Sequence, residues 1–304
     1  MQNLYDIIIC GGGPAGLTAA IYCARGGVKA AVLERMNVGG QAALPEGIEN
    51  YPGFSRIGGF ELTDNMRAQA EGLGAEIVYD EAAAFSFKSR IKTIKTATGR
   101  DYAARAVILA LGAGAKPLGA VGEAEFAGRG VSTCATCDGA FFRDKTACVA
   151  GGGNTAAEDA LYLARFTKKV YLIHRRDSLR ADAANIKKVL AEPKIEILWN
   201  TVAVEIMGGN AVERLRLKNT LTGDISELKT DALFIAVGQT PNTAVLRDTG
   251  VKLNESGYIC VNAHMRANIK HIYAAGDCAD GHLKQIVTAC ANGAVAATSA
   301  IQEL

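Results

Sequence analysis

Gly11-Gly12-Gly13-Pro14-Ala15-Gly16 decides how the first part of this chain folds. The apolar residues 5–10 before it predict a short strand, and the hexapeptide turns that strand into a helix reaching about Arg25. Residues 28–33 predict a second strand, closed by Glu34. A strand, a G-x-G-x-x-G turn, a helix, a strand and an acid about 20 positions on make a dinucleotide-binding βαβ unit. Gly11 permits the tight turn, Gly13 lets backbone approach a pyrophosphate, and Gly16 lets helix pack on strand. The helix start, at Ala15, leaves N–H groups free for phosphate oxygens. Glu34 then accepts hydrogen bonds from a ribose.

The pattern returns 140 positions later. Residues 146–150 predict a strand, Gly151-Gly152-Gly153-Asn154-Thr155-Ala156 the turn, and 157–165 the helix. Tyr22-Cys23-Ala24-Arg25 aligns with Tyr162-Leu163-Ala164-Arg165 at the same offset, so the two units read as an internal duplication. The offset puts His174 in the slot of Glu34. His174-Arg175-Arg176, with Arg180 a turn further, replaces the acid by cations. A carboxylate there repels a 2′-phosphate, whereas guanidinium groups pair with one bidentately. The first turn therefore suits a nucleotide with a free ribose hydroxyl, and the second suits NADPH.

At 304 residues the chain exceeds what one core usually organises, which predicts about two domains. A net charge of +2 gives no reason to expect nucleic acid or an anionic membrane as partner. No run approaches the roughly 18 apolar residues of a membrane span. The first residues lack the basic stretch of an export signal, so the expected location is cytoplasmic. In that compartment the eight cysteines are thiols, apart from any catalytic pair. Strands predicted at 106–111 and 232–237 exit through Gly112-Ala113-Gly114 and Gly238-Gln239-Thr240-Pro241, which marks chain crossings near 113–118 and 239–245. Near the end, Ile272-Tyr273-Ala274-Ala275-Gly276-Asp277 predicts a strand closing on an acid, with a helix from about Lys284. Such an end can aim Asp277 at a ribityl hydroxyl and backbone N–H groups at a flavin ring. Asp277 as the N-cap of that helix is the alternative, and the two roles are compatible.

Between the two glycine turns lies Cys134-Ala135-Thr136-Cys137-Asp138-Gly139. Two thiols at this spacing can close a small disulfide or supply half a metal site. Zinc normally takes four ligands, and no second Cys-x-x-Cys or His pair occurs. Cys10, Cys23, Cys148, Cys260, Cys278 and Cys290 stand alone and read as small core residues. The segment around Cys134 looks instead like a turn and helix start, where a thiol becomes reactive. Since nicotinamide moves a hydride and a flavin can pass an electron pair to sulfur, the sensible order is NADPH, FAD, disulfide. Cys137, beside Asp138, reads as the sulfur nearer the flavin and Cys134 as the exchanging one.

These residues together resemble the low-molecular-weight thioredoxin reductases of bacterial and archaeal type. The likeness rests on Cys-Ala-Thr-Cys-Asp-Gly at 134–139, Gly-Gly-Gly-Asn-Thr-Ala at 151–156 and His-Arg-Arg-x-x-x-Arg at 174–180. Gly39-Gly40-Gln41 and Glu49-Asn50-Tyr51-Pro52-Gly53 add to it. It implies an α/β fold of two three-layer Rossmann-like nucleotide-binding domains, the NADPH domain inserted into the FAD domain. The expected boundaries are 1–114 and 243–304 for the FAD domain and 115–242 for the NADPH domain with the cysteine pair. By the same likeness Cys134 attacks thioredoxin or a related redoxin, Cys137 meets the flavin, and Asp138 protonates thiolates. Glu34, Arg35, Gly40, Gln41, Asn50, Gly276, Asp277, Gln285 and Ile286 join the first glycine turn as FAD residues. Gly151, Gly153, Asn154, Thr155, Ala156, His174, Arg175, Arg176 and Arg180 are the NADPH set. Phe141 and Phe142, with Arg129 near, fall where the family seats its partner, and a homodimer is implied.

Two positions depart from the family: Lys284 stands in place of an Arg, and Cys278 puts an extra, oxidation-sensitive thiol beside Asp277. Because thiol pair and NADPH turn share the inserted segment, the sequence predicts a swing about the two crossings. Competing functions carry weaker signals. A peroxide-system reductase would use NADH and an added N-terminal thiol domain, where this chain starts at its first strand. A flavin dithiol oxidase needs no nicotinamide site, a ferredoxin-driven relative no NADPH motif, and a non-catalytic sensor no Asp138.

Overall fold

A computed structural model describes residues 4–45, 47–281 and 283–304. Its chain divides into two compact units, Met1–Gly114 with Thr240–Leu304, and Ala115–Gln239. Among the described residues the α-helices are α1 (Pro14–Arg25), α2 (Gly59–Gly72), α3 (Ala135–Asp138), α4 (Asn154–Ala164), α5 (Ala183–Ala191) and α6 (Ile286–Gln302).

The first unit is built on a seven-stranded sheet. Strands Glu76–Tyr79, Ala30–Glu34, Leu4–Cys10 and Asp101–Leu109 lie side by side and parallel, with Ile272–Ala274 parallel on the far side of Asp101–Leu109. Lys92–Thr96 and Ala82–Ser86 extend the sheet antiparallel. Alternate residues of Leu4–Cys10 feed two cores. Ile7 and Ile9 pack with α1 and α6, while Ile8 and Cys10 pack on the opposite face with Phe87, Leu246 and Ile259. Both faces are covered, so these strands read as continuous apolar runs rather than alternating ones. α6 lies close on α1 because the facing residues are small. A Cβ added to Gly293 would sit 2.1 Å from the Ala15 carbonyl oxygen.

The second unit repeats the parallel core on a smaller scale. Its five strands run in the order Ile195–Leu198, Lys169–Ile173, Thr146–Gly151, Ala232–Ala236 and Val131–Ser132, all parallel. Helices α4 and α5 cover one face through Ala156, Ala157, Ala160, Leu163 and Val189. A three-stranded antiparallel sheet, Thr201–Gly208, Val212–Asn219 and Ile225–Lys229, covers the other through Ile206, Leu215 and Leu217. Three layers result.

Gln239–Pro241 pairs with Ala113–Ala115 as a two-stranded ribbon, and beyond it the Asn242 backbone N–H donates to Gly112 O at 3.1 Å. The Asn242 side chain also donates to Leu111 O at 2.9 Å, which ties it to the first unit.

Candidate active site

The first glycine turn is fixed by backbone geometry that side chains would spoil. Gly11 takes a φ of 109°, and a Cβ there would meet Ala110 O at 2.2 Å; one at Gly16 would meet Gly11 O at 1.8 Å. Pro14 opens α1, which has no side-chain cap and no acid in its first turn. Its N–H groups therefore remain available to an anion. Glu34 closes the turn from beside it, accepting from Gly12 N at 2.7 Å and Met36 N at 3.0 Å. One carboxylate thus holds the loop and still has lone pairs for a ribose.

Two other segments reach this turn, and a third pairing lies with them in the first unit. Gly39 N donates to Gly12 O at 2.8 Å, and the 3₁₀ turn Gly40–Ala43 carrying Gln41 follows directly, with Gly40 against Gly13. Gly276, at a φ of 73°, is so close that a Cβ would lie 2.9 Å from the Ala15 Cβ. Asn50 donates to Gln285 Oε1 at 2.9 Å, and Gln285 caps α6 through a reciprocal capping box with Thr288. Ile286 packs beside Leu17 and Ile48. Arg35 is exposed and faces Glu81 at 3.8 Å. Asp277 lies in the 3₁₀ turn Gly276–Cys278, several residues ahead of α6, so the N-cap alternative does not hold. Burial raises its carboxyl above the ordinary range, with Lys284 opposing. Cys278 is not the oxidation-prone thiol the sequence suggested. It is fully buried, donates to Leu109 O at 3.3 Å, and burial pushes its thiol up to about 11. Almost no thiolate is present there. Of the other lone thiols, Cys10, Cys23 and Cys148 are buried, while Cys260 and Cys290 are half-buried.

The second turn has the same design with different edges. Gly151 packs against Ala236 O, Gly153 caps α4 without a side-chain bond, and a Cβ on Gly153 would meet nothing within 4 Å. Ala156 is buried and Thr155 exposed on the first turn of α4. His174 directly follows the strand Lys169–Ile173, where Glu34 is the last residue of its own, and its ring lies over Gly152. It is 4% exposed, and burial lowers its pKa, helped by Arg180 and Arg175. A neutral ring thus fills the slot where the first unit has a charge. Its Nε2 is buried with no hydrogen-bond partner among the described residues. Arg175, Arg176 and Arg180 are exposed and, among the described residues, form no ion pair. An unpaired guanidinium cluster beside an uncapped helix fits a nucleotide with an extra phosphate.

Sequence reasoning missed what holds that cluster. Arg180 N donates to Gly152 O at 2.6 Å, Asn200 N to Arg176 O at 3.1 Å, and the Thr220 hydroxyl to Arg175 O at 3.1 Å. Asn154 turns its amide to Asp182, accepting from Asp182 N at 2.7 Å and donating to Oδ2 at 2.8 Å. Asp182 precedes α5 as its N-cap residue, a signal the sequence did carry.

Cys134 and Cys137 are joined in a disulfide. Cys134 is the N-cap of α3, and three groups converge on it: its N–H donates to Ser132 Oγ at 3.0 Å, Cys137 N donates to its sulfur at 3.2 Å, and Thr136 Oγ1 lies 3.4 Å from that sulfur. Cys134 is half-buried, Cys137 exposed and Asp138 half-buried on the same short helix. Gly139 follows against α4, where a Cβ would meet Leu163 at 2.9 Å. No cluster of metal-ligating side chains occurs among the described residues. No described helix is long and apolar enough to cross a membrane.

A disulfide within a duplicated dinucleotide fold defines a class. Residues 5–293 match the pyridine nucleotide-disulphide oxidoreductase family. The chain belongs to that family, among its thioredoxin reductases. It is 44% identical to a thioredoxin reductase of Bacillus subtilis, over 98% of this chain and 94% of the relative. It is 43% identical to one of Treponema pallidum, over 99% and 97%. The crystal structure of Lactococcus lactis thioredoxin reductase matches with a TM-score of 0.94 at 41% identity, over 99% of this chain and all of that one.

Proposed function

We propose that this protein is an NADPH-dependent thioredoxin-disulfide reductase, with FAD held by the first unit and NADPH by the second. The observation that carries the reading is the disulfide at 134–137 on a unit that also presents three unpaired arginines at an uncapped nucleotide turn. The first glycine turn with Glu34 would hold FAD, which would supply a hydride acceptor for NADPH and an electron pair for the disulfide.

The protein's own residues do the rest. Once the disulfide is opened, the Cys137 N–H and the Thr136 hydroxyl stabilise negative charge on the Cys134 sulfur, which favours it as the thiolate nucleophile. The Cys134 thiolate attacks one sulfur of the partner's disulfide, forming a mixed disulfide and releasing the partner's other sulfur as thiolate. Cys137, as thiolate, then attacks Cys134, re-forming the internal disulfide and releasing the reduced partner. Asp138, next to Cys137, supplies and collects the protons. Glu34, Gln41, Asn50, Asp277 and Gln285 orient the flavin nucleotide. Arg175, Arg176 and Arg180 select the 2′-phosphate, with Asn154 behind them. The working unit is a homodimer.

The test is anaerobic NADPH-dependent reduction of a purified thioredoxin, with Cys134→Ser alongside. Wild-type turnover that vanishes in the variant, while NADPH still bleaches the flavin, is the expected result. Flavin bleaching in the wild type without thioredoxin reduction overturns the partner assignment. No bleaching by NADPH overturns the donor assignment.

A further inference from the structure

We infer that the disulfide segment carries a cationic rim selecting redoxins with an acidic surface around their own disulfide; this rests on the reductase reading above. The segment does not end at Asp138. It continues through the 3₁₀ turn Gly139–Phe142 into Arg143 and Lys145, beside the C-terminal end of α4. Asp144 N donates to Phe166 O at 3.1 Å, and Lys168 N donates to Lys145 O at 2.8 Å, so the two stretches are joined by backbone.

Four cations stand on this junction: Arg143, Lys145, Arg165 and Lys168, all exposed. None forms an ion pair among the described residues. Three rest on aromatic rings instead. The Arg143 guanidinium lies 5.9 Å from the Phe166 ring centre, Lys145 Nζ 5.7 Å from that of Phe142, and the Arg165 guanidinium 5.7 Å from that of Tyr162. A ring beneath a cation fixes its position without neutralising it. Lys194 adds a further charge under the rim, donating to Ala164 O and Thr167 O at 2.9 Å each. The acids nearby offset this only in part, leaving the four cations an excess of two charges over Asp138 and Asp144. Asp138 and Asp144 are the two carboxylates of residues 138–145, and the carboxylate of Glu196 pairs with Lys169.

Phe141 is 75% exposed in the same turn, four positions after Cys137. An exposed apolar side chain in the same turn as a net cationic junction, four positions after a reactive disulfide, fits a protein with an apolar active-site rim set among acids. Complementary charge of this kind mainly raises the rate of productive encounter and fades with salt.

The experiment compares the wild type with Arg143→Glu/Lys145→Glu, as full-length FAD-loaded enzyme. The probes are an acidic thioredoxin and the same thioredoxin with the acids around its disulfide changed to amides. Expected is a rise in KM for the acidic thioredoxin of about tenfold or more at low ionic strength. The difference should shrink as salt rises from ~20 to ~300 mM, and the amide probe should show little of it. Flavin bleaching by NADPH, which involves no protein partner, should be unchanged and shows that the variant is folded. An unchanged KM for the acidic probe, with bleaching intact, overturns the inference while leaving the reductase reading standing. Failure of the wild type to reduce either thioredoxin overturns the reductase reading instead.

Discussion

Asn154 and Asp182 form a two-bond latch: Asp182 N donates to Asn154 Oδ1, and Asn154 Nδ2 donates to Asp182 Oδ2, at 2.7 and 2.8 Å. One end is the first residue of α4 and the other the residue before α5. Arg175, Arg176 and Arg180 lie on the strap between them, which the latch fixes at its far end. Asp182→Ala removes one of the two bonds, worth about 0.5–1.5 kcal/mol. The expected outcome is a KM for NADPH raised several-fold, with the rate of flavin reduction at saturation unchanged. NADH, which lacks the 2′-phosphate, should bind as weakly as before. Asp182→Asn keeps an acceptor for Asn154 and should restore the wild-type KM. A fall in the saturating rate, or an equal effect on NADH, would contradict a positioning role.

The two glycine turns were legible in the sequence because their chemistry is local. Strand, glycine turn and helix follow one another in the chain, and Gly16 answers to Gly11 O within its own turn. The disulfide was legible for the same reason, through spacing alone. What stayed hidden depends on segments far apart in sequence. Thr220 and Asn200 support the arginine strap from the antiparallel sheet and its approach, and nothing in their neighbours announces it. The fate of Cys278 was equally non-local: burial pushes its thiol up, in a setting where it donates to Leu109 O from far along the chain. The covering sheet of the second unit was not read beforehand, although Leu215 and Leu217 alternate with Arg214, Arg216 and Lys218 in its central strand.

Gly152 and Gly153 are neighbours with opposite constraints. A Cβ on Gly152 would lie 2.3 Å from the His174 ring, whereas one on Gly153 would meet nothing within 4 Å. Gly152→Ala should therefore destabilise the protein by about 1–3 kcal/mol, as overpacking does. Gly153→Ala should leave the unfolding midpoint unchanged and raise the KM for NADPH, since its methyl group enters the space in front of the helix. Unfolding curves and NADPH titrations on both variants check the contrast. Equal loss of stability in the two would show that the His174 ring does not govern this turn.

Asp159 sits on α4 one turn before Leu163, half-buried, and its carboxyl is raised to about 7 by burial first and by neighbouring Glu158 second. A carboxyl raised by folding holds its proton more tightly in the folded state. Its contribution is thus most favourable below the unfolded value near ~4 and is lost as pH rises through about 7. Asp159→Asn replaces the charged form with a neutral side chain of the same shape. The unfolding midpoint of the variant should exceed the wild type's at about pH 8, by about 2–4 °C for each kcal/mol recovered, and match it near pH 4. Thermal unfolding across that range decides the matter. A variant less stable at high pH would mean that ionised Asp159 has a cationic partner and is stabilised rather than strained by its setting.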